Sequence, residues 1–240
     1  MPDNHYDDPR LAAIYDPLDP DRSDLDAYVA ILAQLDARSV LDVGCGTGTF
    51  AAMLAERGVE VVGVDPSGAS LEVARSKSDA VTWIHGDATR LPPLEVDATT
   101  MTANVAQVFL TDDAWHATLS GIRGALRPGG HLAFETRVPA RRAWLEWDRA
   151  HTWSRTDIPG VGEVETWGDV TAVEGDLVGF RWTYVFGADG TVLTSDSTLR
   201  FRSREEIELS LADRGFAVLE VRDAPDRPGR EHVFVARRTD

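Results

Sequence analysis

Val40-Leu41-Asp42-Val43 is a short apolar run that passes directly into Gly44-Cys45-Gly46-Thr47-Gly48 and then into a helical pattern from Thr49. A buried strand that turns at once into a helix needs glycines in the turn. Without side chains the backbone can approach a ligand closely, and the free N–H groups of the helix start face it. This unit commits the chain to an α/β layout with a small-molecule site at the strand ends. A nicotinamide dinucleotide would need the spacing G-x-G-x-x-G to seat a pyrophosphate. Here the glycines fall at 44, 46 and 48, and Thr49 stands where the third is required.

The grammar of the following residues agrees. Val40–Val43, Val59–Val64, Val81–His85, Ala98–Ala103 and His131–Arg137 read as buried strands, and Thr49–Arg57, Gly68–Lys77 and Asp113–Leu126 read as helices. Strand and helix in alternation predict a parallel sheet with right-handed crossovers. Upstream, Leu25, Tyr28, Val29, Leu32 and Leu35 recur at helical spacing behind Ser23 and Asp24. The first 26 residues hold eight Asp and four Pro, which predicts a solvated entry segment rather than one continuous helix.

Alternation lapses after Arg137. Pro139–His151 reads as a short helix with Trp144, Trp147 and His151 on one face, followed by strands at Glu163–Val173, Leu177–Phe186 and Thr191–Phe201. Gly187-Ala188-Asp189-Gly190 is a hairpin signal between the last two, so an antiparallel meander is expected. Ser203-Arg204-Glu205-Glu206 then opens a final helix as a capping box, and Phe216–Val221 and His232–Ala236 close the chain as strands.

Charge narrows the ligand. Lys and Arg number 24 against 40 Asp and Glu, a formal charge of −16, which disfavours nucleic acid and anionic membrane surfaces. Lys77 is the only lysine and follows no glycine-rich loop, which excludes a P-loop. One cysteine allows neither an intramolecular disulfide nor a cysteine zinc cluster, and His85, His116 and His131 show no ligand spacing, so no metal is expected. The N-terminus lacks the basic and apolar pattern of a secretory leader and no run approaches membrane-spanning length, so the expected location is cytoplasmic.

Against this background the acidic residues at the strand ends stand out. Asp42 closes the first strand, Asp65 the second and Asp87, in Gly86-Asp87-Ala88, the third. A carboxylate ending the second strand can accept hydrogen bonds from two ribose hydroxyls. Three carboxylates around one cleft suit a cationic adenosine ligand without phosphate.

Leu41–Gly48, Val62-Gly63-Val64-Asp65-Pro66-Ser67, Gly86-Asp87-Ala88 and Arg127-Pro128-Gly129-Gly130 together resemble the class I S-adenosylmethionine-dependent methyltransferases of small-molecule type. The resemblance implies a Rossmann-like, seven-stranded, mostly parallel sheet with helices on both faces and the last strand antiparallel. It implies that Gly44, Cys45 and Gly46 face the methionine portion of S-adenosylmethionine, with Asp42 near its ammonium. Asp65 would hold the ribose, Pro66 would lie near the adenine, and Asp87 with Ala88 would read its edge. Asn104 matches a backbone contact to the methionine portion, and Tyr15 a tyrosine that closes over the cofactor.

In these terms the chain reads as a single domain. Residues 1–38 form a helical cap, 39–137 and 202–240 the cofactor-binding core, and 138–201 an inserted β-meander serving as substrate lid or homodimer interface. Methyl transfer to O or N of a small molecule leads; another transferase using the same cofactor, or a non-catalytic binder, are the alternatives. Phe180, Trp182, Tyr184 and Phe186 alternate along one strand face, able to stack a planar acceptor or to pack on the sheet or a partner. Gln107, Glu135, Arg137, Trp182 and Tyr184 are the acceptor-contact candidates, and His151 is the candidate base.

Overall fold

The computed structural model describes residues 3–240. The glycine-rich turn follows β1 (Ser39–Val43) and leads into α4 (Thr49–Glu56), β2 (Glu60–Asp65), α5 (Gly68–Lys77), β3 (Thr82–His85) and β4 (Val96–Met101). After them come α6 (Asp112–Ala125), β5 (Leu126–Arg137) and, beyond an insertion, α8 (Arg204–Asp213), β10 (Phe216–Asp223) and β11 (Glu231–Arg238). These strands form one seven-stranded sheet in the order β10-β11-β5-β4-β1-β2-β3. β1 pairs in parallel with β2 and β4, whereas β11 runs antiparallel to both β5 and β10. The order reverses between β1 and β4, and the ends of these two strands are where an open α/β sheet leaves a crevice.

Side-chain alternation along buried strands gives the sheet two apolar faces. On one, Trp115, Leu119 and Ile122 of α6 and Ile207 and Leu211 of α8 pack on Phe134 and Phe234, whose rings stack with centroids 5.1 Å apart. On the other, α3 (Asp26–Gln34) and α4 bring Tyr28, Leu32, Phe50 and Leu54 onto Val40, Val61 and Val235. The expected capping box at Ser203 and Glu206 is present.

The insertion folds as β6 (Ser154–Ile158), β7 (Gly162–Glu174), β8 (Leu177–Phe186) and β9 (Val192–Arg200), a four-stranded antiparallel meander. β6 is the strand absent from the sequence reading; its Ser-Arg-Thr-Asp-Ile offers a single apolar residue. The helix expected over Pro139–His151 is corrected. Arg142 adopts a left-handed φ of 47°, which interrupts it into two 3₁₀ turns and the four-residue α7 (Arg149–Thr152).

A larger correction concerns the Asp-rich start. It forms α1 (Asn4–Asp7) and α2 (Pro9–Leu18) and lies as a strap between sheet and meander. Asp8 caps the N–H groups of Arg10 and Leu11, and Pro9 occupies the first turn, where its missing N–H removes nothing. Leu11 and Ile14 of α2 pack on Ile158, Val164, Tyr184 and Phe186. Tyr184 and Phe186 of the aromatic face of β8 are therefore covered by α2 of the same chain, while Phe180 meets Trp147.

Two glycines of α6 separate helix propensity from packing. A Cβ at Gly121 would lie 1.8 Å from the Ala88 carbonyl oxygen, whereas one at Gly124 would meet nothing within 4 Å. Gly124→Ala should stabilise the protein by about 0.5–1 kcal/mol, as expected for an exposed helical glycine. Gly121→Ala should instead destabilise it; urea midpoints moving in the same direction for both would contradict this packing.

Candidate functional site

The turn after β1 is held by its neighbour strand. The N–H groups of Gly44 and Cys45 donate to the Val64 carbonyl at 2.8 and 3.2 Å. Gly44, Gly46 and Gly48 all have positive φ, and a Cβ at Gly44 would strike Val105 at 2.7 Å. At Gly46 a Cβ would meet nothing within 4 Å, so the turn leaves open space on that side. The Cys45 thiol is pushed far up by burial, with Asp42 and Asp65 adding to the shift, which makes it a poor nucleophile.

Asp65 organises the region. One carboxylate oxygen accepts from Gly46 N–H at 2.9 Å and the other from Ser67 N–H at 2.8 Å, so a single side chain ties the turn to the start of α5. Asp42 is buried, and its Oδ1 accepts from Thr100 Oγ at 2.8 Å. Burial lifts its pKa from 3.8 to about 7, opposed by the Thr100 bond, assisted by the charge of Asp65 and tempered by the charge of Arg22. Burial raises Asp65 as well. Neither forms an ion pair with a Lys, Arg or His among the described residues.

Asp87 lies at the surface, where its side chain caps the following turn by accepting from Thr89 N–H at 2.8 Å; Ala88 beside it is buried. Pro66 is exposed, and its carbonyl bonds His85 Nε2 at 2.9 Å. Asp42, Gly44, Cys45, Gly46 and Asp65 thus form one connected wall, with Pro66, Asp87 and Ala88 on the adjoining β2–β3 side.

At the ends of β4, β5 and β11 lies a second polar group. Asn104 follows β4 in the left-handed conformation (φ 62°), directly after Ala103 at φ 54°. Its N–H donates to Glu135 Oε1 at 3.0 Å, and its amide donates to Glu231 Oε1 at 3.0 Å. The Tyr28 hydroxyl donates to Glu135 Oε2. Burial, with Glu231 alongside, raises the Glu135 pKa to about 6. Both Glu135 oxygens thereby accept a bond from within the chain, and through one of them Glu135 positions Asn104. Because the Asn104 N–H is taken, its backbone can offer a ligand only the carbonyl.

Arg137 ends β5 opposite Glu231, and its Nη1 donates to Gln107 Oε1 at 3.0 Å. Its guanidinium lies 5.4 Å from the Trp147 ring, which meets Phe180 at 4.9 Å. Gln107 is buried and donates in turn to the Arg200 carbonyl. His151, the candidate base, is exposed and bonds Asp148 at the N-cap of α7.

The strap supplies residues that the sequence reading missed. His5, Tyr6, Tyr15 and Tyr184 cluster, with His5 centroids 4.8, 5.1 and 5.6 Å from Tyr6, Tyr15 and Tyr184. Burial lowers the His5 pKa to about 4, so the ring is neutral at pH 7 as it shares a proton with the Tyr184 hydroxyl. Tyr184 is fully enclosed, and Trp182 is half-buried over Gly168. Neither presents the open stacking face expected. Tyr6 keeps 36% of its surface accessible although burial dominates the rise in its phenol pKa, and it feels the charges of Asp65 and Arg137.

Asp16 latches the strap over the turn by accepting from Thr47 Oγ at 2.8 Å and Thr49 Oγ at 2.9 Å, and it pairs with Lys77. The Tyr6 carbonyl accepts from Ser67 and Ser70. Asp8-Pro9 followed by Leu11, Ile14, Tyr15 and Leu18 is the helix-start signal that announces this element. Tyr28 and Glu231 carry no comparable local signal, since only sheet order brings them to Glu135.

A glycine cradle open at Gly46 and two buried carboxylates without cations fit a cationic adenosyl ligand, and they would repel a pyrophosphate. Comparison with known proteins agrees. The sequence profile of the methyltransferase domain matches residues 40–130. The chain is 37% identical over 117 residues to the cypemycin N-terminal methyltransferase of a Streptomyces species, covering 48% of each. It thus spans about half the length of that relative. The CcbJ methyltransferase of Streptomyces caelestis superposes with a TM-score of 0.78 at 22% identity, over 96% of both chains. The amino pentose methyltransferase CalS10 of Micromonospora echinaspora, with S-adenosylmethionine bound, gives 0.72 at 23%, over 91% of this chain and 92% of that one. Likeness at that identity establishes the fold.

A carboxyl whose pKa is raised on folding keeps its proton in the native state after the unfolded chain has lost it, so stability falls as pH rises through the interval. For Asp42 the interval runs from 3.8 to about 7. Asp42→Asn should therefore gain stability relative to the parent across this range, as followed by urea unfolding at stepped pH. A difference independent of pH would show that Asp42 is not buried in this way.

Proposed function

We propose that this chain is a class I S-adenosylmethionine-dependent methyltransferase that transfers a methyl group to O or N of a small-molecule acceptor. The observation that carries the reading is the pair of buried carboxylates, Asp42 and Asp65, facing a glycine turn with no cation of their own. In this reading Gly44, Cys45 and Gly46 receive the methionine portion, with Asp42 opposite its ammonium, and Asn104 offers its carbonyl. Asp65 takes the ribose hydroxyls, while Pro66, Asp87 and Ala88 border the adenine. Tyr15 and the strap close the cleft above.

S-adenosylmethionine held by these residues would supply a sulfonium-activated methyl group for an acceptor's lone pair. The protein's own task is alignment and exclusion of water. The strap performs the second, since Asp16 and Tyr6 hold it against the turn and against α5. The Glu135 and Glu231 bonds to Asn104 perform part of the first by fixing the bend after β4.

The chain then divides by task. Residues 1–38 are the cap, 39–137 and 202–240 hold the cofactor, and 138–201 are a lid over the acceptor. Because the aromatic face of the lid is covered within the chain, a homodimer through that face is not required. Nucleic acid is a poor acceptor for a protein with a formal charge of −16. No helix is long and apolar enough to cross a membrane. We place the reaction in the cytoplasm, where a single thiol that cannot form an intramolecular disulfide is at home.

Calorimetric titration with S-adenosylmethionine and S-adenosylhomocysteine should show both binding. Asp65→Ala should weaken each by about tenfold or more, the loss of a charged hydrogen-bond acceptor. Absence of binding for both at millimolar concentration would refute the reading. Binding without methyl release to any of a broad set of amines, phenols and acids would leave a cofactor-binding protein instead.

A further inference from the structure

Arg137 stands out among the arginines near Asn104 because few of its donors are filled by the chain. Glu231, the carboxylate nearest to it, sits 4.0 Å from Nε, beyond hydrogen-bond range, and faces Arg227 at 3.3 Å and the Asn104 amide at 3.0 Å. Glu135 is bonded to Tyr28 and Asn104. Of the five guanidinium N–H groups, only one, on Nη1, finds an acceptor among the described residues, namely Gln107 Oε1. Arg200, by contrast, reaches Asp176, Asp112 and the Leu110 carbonyl.

The Arg137 side chain keeps 24% of its surface accessible, so its unfilled donors are available to a partner from outside the chain. It lies within electrostatic reach of Tyr6, which itself feels Asp65 on the cofactor side. The fork is oriented from both sides, by Gln107 and by the ring of Trp147, beside the apolar ring of Phe180. A planar fork pre-set in this way matches a carboxylate, which accepts two parallel N–H bonds.

Resting on the methyltransferase reading, we propose that Arg137 receives a carboxylate on the acceptor, so that the substrates of this site are carboxylic acids whose methyl-accepting O or N is a separate atom of the same molecule. An oxyanion gripped by a guanidinium has its lone pairs engaged and is a weaker nucleophile, which leaves the second atom to react. A phosphate monoester, with nearly two charges, would call for further cations. The remaining guanidinium near the group, Arg227, already pairs with Asp226 and Glu231. Gln107 acts as a positioning residue that fixes the plane of the fork.

The test uses the full chain saturated with S-adenosylhomocysteine and a matched set of probes: 3-aminobenzoate, 3-aminobenzamide and 3-aminophenyl phosphate. The acid should bind about tenfold or more tightly than the amide, the increment of a charge-assisted pair, and at least as tightly as the phosphate. Arg137→Met should abolish the preference for acid over amide, and Arg137→Lys should recover only part of it, with S-adenosylhomocysteine affinity preserved in both. Equal binding of acid and amide, failure of the acid to bind the complex, a preference for the phosphate, or an Arg137→Met protein that still prefers the acid would each overturn the proposal. If the variants do not fold, the preferences of the parent protein decide alone. Failure of S-adenosylhomocysteine itself to bind would instead refute the methyltransferase reading, so the two failures are distinct.

Discussion

Asp65 is the interaction on which the cofactor side of the molecule depends. Its carboxylate bridges two backbone N–H groups from different loops, Gly46 and Ser67, and so converts two independent turns into one rigid rim. Taking a carboxylate out of water is costly, and two N–H bonds offset only part of that cost. Asp42, one strand away with a single hydroxyl partner, is left further uncompensated, and its proton affinity rises accordingly. Arg22 tempers Asp42 and His85 tempers Asp65 by charge alone, and with no ion pair to either among the described residues the two groups suit an added cation. The raised pKa values and the proposed ligand are thus two expressions of one electrostatic arrangement.

The strap joins this rim to the acceptor side. Asp16 and the Tyr6 carbonyl attach it to the turn and to α5, while His5, Asp3 and Asn4 attach it to the meander through Tyr184, Ser197 and Thr194. Ion pairs on its rim, such as Arg10 with Asp189, contribute little in solvent. The burial of Leu11 and Ile14 against Phe186 and Val164 provides most of its anchorage. Because one short segment binds both halves, docking of the meander and covering of the cleft are coupled. Any opening that admits a ligand to the rim also loosens the lid.

What could be read from the sequence follows from how local the signal is. The parallel core announced itself through β-branched runs and glycine turns, and Asp42, Gly44, Gly46 and Asp65 were placed by motif spacing within one strand–turn–helix unit or the next strand. The prolines do preclude one continuous helix, Pro9 starting a second one after the capping Asp8, but the strap is not solvated, because Leu11 and Ile14 among its Asp residues are buried on the meander. His151 looked like a pocket residue only while 139–151 was taken as one helix; the left-handed Arg142 breaks the face it would have shared with Trp147. Glu135 was recognised as a polar residue at a strand end, but its partners Tyr28 and Asn104 lie 107 and 31 residues away. No periodicity carries information over such separations.

The same long-range arrangement explains why strain and unfilled donors collect at one place. Ala103 and Asn104 are consecutive left-handed residues, a conformation costing about 1 kcal/mol or more for each non-glycine. It persists because Glu135 holds the Asn104 backbone and Glu231 holds its side chain, two buried acceptors converging on one residue. Both glutamates also act on the charge of Arg137, but Glu231 stands 4.0 Å from its Nε, so its close partners are Gln107 and the ring of Trp147. The bend after β4 and the guanidinium at the end of β5 thus share one pair of carboxylates, which hold the first by hydrogen bonds and the second by charge alone.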